Sequence, residues 1–181
     1  MNNEKLKIGI ILGSTRVGRV SPQVGKWVLD IASKRNDADY ELVDIADYRL
    51  PLLGESPETE GIIKWNEKLA TLDGFIFIVS EYNHSISAAL KNALDLARDP
   101  WINKAAGIVS YGSSGGARAS EHLRGILAEL RVASVRIHPT LSLFYDFENL
   151  TIFKPQALHV DTVNQMITQL LDWAKVMKTL R

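Results

Sequence analysis

The sequence predicts an α/β protein: a doubly wound, three-layer sandwich whose five-stranded parallel sheet, order 2-1-3-4-5, is covered by helices on both faces. Three observations carry this prediction. Short β-rich runs alternate with longer amphipathic stretches. The β-rich runs are apolar at nearly every position, as strands covered on both faces must be. Each joins the next through a helix-length segment, the crossover that parallel strands require and that winds right-handed. No linker or shift in composition interrupts the pattern, so residues 1–181 are expected to form one domain.

Taken in order, Lys7–Leu12 is the first strand and ends at Gly13. Val24, Trp27, Val28, Ile31 and Ala32 recur at helical spacing between Val20 and Lys34, and Asn36 and Asp37 end that helix. Tyr40–Ile45 reads as the second strand and Pro51–Thr59 as a loop of turn formers. Gly61–Leu72 follows as a helix with Ile62, Trp65, Leu69 and Leu72 facing inward. The third strand, Gly74–Val79, leads through a polar turn into a helix from Ser85 to Arg98. Asn83 or Ser85 is expected to cap it, and Pro100 to stop it. Ala105–Ser110 is the fourth strand, Gly112–Gly116 a glycine-rich turn, Ala117–Leu130 a helix and Val132–Ile137 the fifth strand. After an irregular stretch, Pro139–Ala157, the segment His159–Met177 carries Val163, Met166, Ile167, Leu170, Leu171 and Ala174 on one helical face.

Composition narrows the function. The chain has 181 residues, 46% hydrophobic and 23% charged, with 21 basic residues against 21 acidic ones. Disorder is excluded, and a core of ordinary size is available. With no cysteine there is no disulfide, thiol nucleophile or iron–sulfur ligation, and a cytoplasmic setting is expected. The polar start, Met1–Lys7, lacks the layout of an export signal, and no apolar run approaches the ~20 residues of a membrane span. A neutral chain without a Lys/Arg cluster offers no electrostatic footprint for nucleic acid. The four dispersed histidines show no metal-ligand spacing.

In open parallel sheets ligands bind at the carboxyl ends of the strands, near the switch point between the first and third. The loop after the first strand, Gly13-Ser-Thr-Arg-Val-Gly-Arg-Val-Ser21, sets hydroxyls and guanidinium groups before a helix N-terminus. That is phosphate chemistry: Ser14, Thr15 and Ser21 can donate, and Arg16 or Arg19 can clamp oxygens bidentately. Arg19-Val20 excludes the Walker A pattern, and the dinucleotide glycine fingerprint is absent. The loop after the third strand, Ser80-Glu-Tyr-Asn-His-Ser85, is polar and aromatic together. Its backbone N–H groups suit the carbonyls and ring nitrogens of a planar heterocycle, with Tyr82 against the ring; His84 reads as a solvated turn residue. The loop after the fourth strand, Ser110-Tyr-Gly-Ser-Ser-Gly-Gly-Ala-Arg118, lets a ligand approach the backbone closely.

Together, GSTRVGRVS, SEYNHSISAALKNALD and YGSSGGARA, in that order on those elements, resemble the NADPH-dependent FMN reductase family of flavodoxin-like flavoproteins, which includes chromate, quinone and azo-dye reductases. The resemblance covers Lys7 to Leu130 at least. It implies an FMN-dependent NAD(P)H oxidoreductase that passes hydride from a nicotinamide to the flavin and then to a small acceptor: a flavin, quinone, azo dye or metal oxyanion. By the resemblance, Ser14, Thr15, Arg16 and Ser21 hold the FMN phosphate, with Arg19 close by. Glu81, Tyr82, Asn83 and Ser85 line the isoalloxazine, and Ser110, Gly112, Gly115 and Gly116 support its other edge and the ribityl chain. Ser80 stands where the family usually has proline. No side-chain acid or base is implied, because the cofactor carries the chemistry. A homodimer or homotetramer is implied as well, through the LKNALD helix, with Trp101, Phe144, Tyr145 and Phe147 as candidate surface aromatics.

Three rivals share parts of this pattern. Gly112–Gly116 is a literal G-x-S-x-G, which would make Ser114 the nucleophile of a small serine hydrolase, with Asp146 or Asp161 and His159 completing the triad. A flavodoxin-like electron carrier would have the same architecture but typically a strongly acidic surface. A dinucleotide-binding module would use Asp44 on a ribose hydroxyl.

Overall fold

Side chains alternate across a strand, and in this sheet the alternation builds a separate core on each face. The computed structural model describes residues 5–181; residues 1–4, the start of the segment expected to carry no export signal, lie outside the described residues. Strands β1 (Lys7–Leu12), β2 (Asp39–Asp44), β3 (Gly74–Ser80), β4 (Lys104–Gly112) and β5 (Val132–Ser134) form a parallel sheet in the order β2-β1-β3-β4-β5. Helices α1 (Ser21–Ser33) and α5 (Leu158–Lys178) cover one face, with Ile8, Ile10, Leu12, Ile76 and Ile78 beneath them. The other face carries α2 (Glu60–Ala70), α3 (Ala88–Asp95) and α4 (Ala117–Glu129), packed on Phe75, Phe77, Val79, Ala106 and Ile108. Every residue of β3 and β4 is buried, which is why the middles of both strands, Phe75–Val79 and Ala105–Val109, read as runs without a polar residue.

The fifth strand departs from the expected Val132–Ile137. It stops at Ser134, and its place beside β4 is taken up again by β6 (Thr140–Ser142), which pairs with Ser110–Gly112 after a two-residue slip in register. Pro139 accounts for the break: it has no N–H for a ladder, while its carbonyl still accepts from Ser110 N–H at 3.0 Å. The stretch expected to be irregular also holds a small hairpin, β7 (Phe147–Glu148) with β8 (Ile152–Phe153).

Helix α3 is shorter than the expected Ser85–Arg98, and neither Asn83 nor Ser85 caps it. Ser87 does, accepting from Leu90 N–H at 3.1 Å and donating to the Gly13 carbonyl at 2.5 Å. Ser85 is unavailable because its backbone N–H and C=O both pair with Tyr82, at 2.8 Å each. On α3, Leu90, Ala93 and Leu94 form a buried stripe, and Asn92 on another side holds the neighbouring loop, donating to the Pro51 carbonyl and accepting from Leu53 N–H.

Trp101 and Phe147 are not surface aromatics. Trp101 is fully buried against Trp65, Phe75 and Phe77, and Phe147 lies against Tyr111 and Phe153. Phe144 and Tyr145 are exposed. No helix among the described residues is long and apolar enough to cross a membrane.

Lys104 places a charge against the core. Lys104, 3% exposed, donates from Nζ to the Leu69 carbonyl at 2.7 Å and lies over the Phe75 ring. Burial, aided by Arg181 and opposed by Asp73, pushes its pKa down to about 8. The unfolded chain therefore binds the extra proton between about pH 8 and the ordinary lysine value, and stability rises with pH across that window. Lys104→Met is expected to stabilise the protein at pH 7 by about 1–2 kcal/mol, after allowance for solvent screening, with the gain fading toward pH 10. The Leu69 carbonyl keeps the Leu72 N–H at 3.2 Å. Urea titrations at both pH values measure the difference.

Candidate active site

Strands β1, β3 and β4 are adjacent, so the loops at their carboxyl ends meet along one edge of the sheet. In the first loop a tight turn from Arg16 C=O to Arg19 N–H, with Gly18 at φ +69°, lifts the chain before α1. Arg16 is exposed; its guanidinium donates to the Val17 carbonyl at 3.0 Å and the Gly18 carbonyl at 3.4 Å, and among the described residues no acid pairs with it. Ser14 is buried, Thr15 is exposed, and the fully buried Ser21 Oγ has no hydrogen-bond partner among the described residues.

Arg19 does something else. Its guanidinium is held by Asp44 at 2.6 and 2.5 Å and also donates to the Ser14 carbonyl. The Asp44 hydrogen bond raises the Arg19 pKa still further, so the charge is permanent but compensated. Arg19 therefore braces the loop while Arg16 keeps an uncompensated charge. Asp44 also accepts from Ala46 N–H at 3.0 Å, which removes it from any role on a ribose.

In the second loop Tyr82, Asn83, His84 and Ser85 close a two-residue turn with φ +44° at Asn83 and +67° at His84, the mirror-image geometry favoured in hairpins. Glu81 fixes this turn from below. Its carboxylate, almost wholly buried, accepts from Arg118 Nε at 2.6 Å, and Arg118 Nη1 donates to His84 Nε2 at 3.0 Å. His122 Nδ1 lies 3.0 Å from Ser85 Oγ. Glu81 and Ser85 thus hold the turn through their side chains, while Tyr82 and Asn83 stand exposed at its tip.

In the third loop Ser110 Oγ donates to the Gly115 carbonyl at 2.7 Å, so its hydroxyl shapes the glycine turn from within. Gly115 and Gly116 have φ of +69° and +76°. A Cβ on Gly112 would come 3.0 Å from Glu81 Cβ, so this loop and the Tyr82 turn pack back to back.

Tyr111 and Arg118 are neighbours of the candidate site to which the loop motifs assign no role, and Asp44, a candidate partner for a ribose, instead braces Arg19. Tyr111 and Ser80 are register partners on one face of the sheet, so their side chains lie together under the start of α1. The Tyr111 hydroxyl sits between those of Ser80 and Ser21 without an ordinary hydrogen bond, and Ser80 Oγ is also buried and unpartnered among the described residues. Burial pushes the Tyr111 phenol up, with Ser80, Ser21 and Arg16 pulling it back; it stays a neutral donor at physiological pH.

Ser114 is not set up as a nucleophile. Its Oγ accepts from Arg118 at 3.4 Å, while His159 Nε2 lies 3.0 Å from Asp146 in a buried clasp. That carboxylate also accepts from Ser142 N–H at 2.8 Å and Gln156 N–H at 3.1 Å. The pair of His159 and Asp146 exists, but it organises the segment before α5. Among the described residues no three His, Asp or Glu side chains converge as a metal cluster.

The edge therefore offers an anion-seeking helix start, a braced polar turn and a glycine-rich loop on three neighbouring strands. The sequence profile of the NADPH-dependent FMN reductases matches residues 6–144. The chain belongs to that family. A NAD(P)H-dependent FMN reductase of Schizosaccharomyces pombe is 35% identical over 146 residues, 76% of this chain and 73% of its own. A 2-hydroxy-1,4-benzoquinone reductase of Burkholderia is 34% identical over 139 residues, 70% of this chain and 73% of its own. In fold, the chain is similar to FerB, a flavoenzyme NAD(P)H:(acceptor) oxidoreductase of Paracoccus denitrificans, with a TM-score of 0.72 at 19% identity. The match covers 95% of this chain and 98% of that one. The FMN reductase family accounts for the flavodoxin-like strand order and leaves the hydrolase reading without support.

Proposed function

We propose that this protein is an FMN-dependent NAD(P)H oxidoreductase that delivers electrons to a small acceptor of the quinone class. The observation that carries the reading is the start of α1, where Ser21 Oγ is buried without a partner beside the uncompensated Arg16. A buried donor without an acceptor is costly, and a phosphate oxygen would satisfy it. The residues present fit FMN: Ser14, Thr15, Arg16 and Ser21 on the phosphate, with the Tyr111 hydroxyl within reach, and the exposed tip of the Tyr82–Ser85 turn and the glycine loop, exposed at Ser113 and Ser114, along the ring and ribityl chain.

FMN, when bound, supplies the two-electron redox chemistry, taking hydride from a nicotinamide and returning it to the acceptor. The protein's own work is to bind and orient. Arg118 and Glu81 hold the turn rigid, Tyr82 offers an aromatic face, and backbone N–H groups of the glycine loop stabilise negative charge as the ring is reduced. We further propose that the protein works in the cytoplasm, supported by its lack of cysteine, and as a homodimer or a pair of such dimers, supported by exposed Leu52, Leu53, Phe144 and Tyr145.

The test begins with the visible spectrum. Protein mixed with FMN and desalted is expected to keep its flavin bands and to bleach with NADPH under anaerobic conditions. Arg16→Ala is expected to weaken FMN binding at least tenfold by fluorescence quenching, because it removes a charge-assisted phosphate contact. A colourless protein, or a variant of unchanged affinity, overturns the assignment.

A further inference from the structure

Beneath the start of α1, the ends of β3 and β4 carry a cluster of unpaired hydroxyls. Ser80 and Tyr111 are register partners on these neighbouring strands, and their side chains rise on the α1–α5 face. Ser21, the first residue of α1, comes down on them. Ser80, Tyr111 and Ser21 are 4%, 6% and 0% exposed, so the chain itself buries all three. Yet among the described residues Ser80 Oγ and Ser21 Oγ have no hydrogen-bond partner, and the Tyr111 hydroxyl between them makes no ordinary hydrogen bond. Buried hydroxyls are nearly always paired, and three unpaired ones side by side point to an acceptor from outside the chain.

Tyr111 is held firmly in this place. Its backbone is paired on both sides, with Ser80 in β3 and with Leu141 in β6. Its ring packs on Phe147, with centroids 5.9 Å apart; Phe147 packs on Phe153 at 5.0 Å, and Phe153 meets Trp27 of α1 edge-on at 5.4 Å. The hairpin that supplies Phe147 and Phe153 is drawn in by the clasp of Asp146 and His159. Gln23 of α1 ties it down as well, accepting from Phe153 N–H at 2.9 Å and donating to the Thr151 carbonyl at 2.8 Å. The phenol oxygen is thus fixed, and only the direction of its O–H is free. Burial keeps the phenol protonated, so it has a proton to donate, and the charge of Arg16 acts on it from the phosphate loop.

We infer that Ser80, Tyr111 and Ser21 form a one-way hydroxyl relay that positions Ser21 on the flavin phosphate: Ser80 donates to Tyr111, Tyr111 donates to Ser21, and Ser21 donates to a phosphate oxygen. The inference rests on the flavin-dependent reading above. One anion at the helix start orients all three hydroxyls at once, because each then accepts from the one behind it, and hydrogen bonds linked in such a chain strengthen one another. Ser80 and Tyr111 are therefore positioning residues, acting on the phosphate through Ser21. A flavin that lacks the phosphate gains nothing from them.

Fluorescence titrations with FMN and with riboflavin, which has the same ring and no phosphate, test this. Tyr111→Phe keeps the ring on Phe147 and removes only the hydroxyl; it is expected to weaken FMN about fivefold or more and to leave riboflavin within about twofold. Ser80→Ala is expected to weaken FMN about threefold, again without effect on riboflavin. The deciding measurement is the cycle with Ser21→Ala: once Ser21 has lost its hydroxyl, adding Tyr111→Phe is expected to cost less than about twofold more. Urea denaturation of the cofactor-free proteins separates binding from folding, and Tyr111→Phe is expected to be no less stable than the wild type, since it loses an unpaired buried hydroxyl. Equal losses for FMN and riboflavin assign Tyr111 a merely structural role and overturn the inference. Full FMN affinity in Tyr111→Phe overturns it as well, because a buried water then satisfies the cluster. Losses that multiply in the double variant overturn the relay, because Tyr111 then meets the phosphate by itself. All three outcomes occur with FMN binding by the wild type intact and leave the flavin reading standing, whereas a wild type that binds FMN no better than riboflavin overturns the reading and the inference together.

Discussion

Gly116→Ala is expected to abolish FMN retention and to cost about 2–4 kcal/mol of stability. Gly116 sits at φ +76°, where an alanine is strained by itself, and its new Cβ would lie 2.8 Å from both Ser110 Cβ and the Tyr111 backbone nitrogen. Neither contact can be relieved by turning a flexible side chain, so β4 and the glycine loop must part. The Ser110 hydroxyl bond to the Gly115 carbonyl then goes, and with it the shape of the loop that would lie along the flavin. Gly125→Ala, within α4, is the control: nothing lies within 4 Å of its added methyl, and a gain of about 0.5–1 kcal/mol is expected from helix propensity. Chemical denaturation measures stability in both variants, and desalting after addition of FMN measures retention. A Gly116→Ala protein that keeps its flavin shows that the loop does not touch it.

Trp101→Ala is expected to cost about 3–5 kcal/mol and to lower the melting temperature by roughly 10 °C. The indole is fully buried, with ring centroids 4.9 Å from Phe75 and 6.0 Å from Trp65, and its Nε1–H donates to the Leu94 carbonyl at 3.1 Å. Removing it opens a cavity where α2, α3 and the central strands meet. Trp101 stands just before β4, at the sheet edge opposite the candidate site, so FMN affinity of the folded variant at low temperature should be unchanged. Trp101→Phe keeps an aromatic ring and should cost less. A melting temperature within 2 °C of the wild type for the alanine variant would show that the cluster carries little of the stability.

Trp101 also shows where reading the chain runs out. A tryptophan after Asp99-Pro100 looks like a surface residue at the end of a helix, and only the approach of Trp65 and the two phenylalanines of β3 makes it core. Arg19 and Arg16 share one motif and one chemistry, yet Asp44, at the end of a different strand, compensates one and leaves the other free. Asp146 and His159 do pair, as a hydrolase would need, but they pair beneath the last loop while Ser114 faces Arg118. In each case the deciding partner is distant in sequence.

What the sequence determined by itself was local and periodic. Apolar runs read as strands covered on both faces, helical spacing placed the five helices to within a few residues, and glycine and hydroxyl residues at strand ends marked the three loops of the candidate site. These features follow from backbone geometry and from burial patterns that repeat every two or 3.6 residues, so a short window of chain contains them. The tertiary structure alone decided the split of the fifth strand around Pro139, the cap on α3, the bracing of Glu81 by Arg118, and the pairing of Arg19 with Asp44. Those depend on which side chains converge from separate elements, and long-range packing settles that rather than any stretch of sequence read alone.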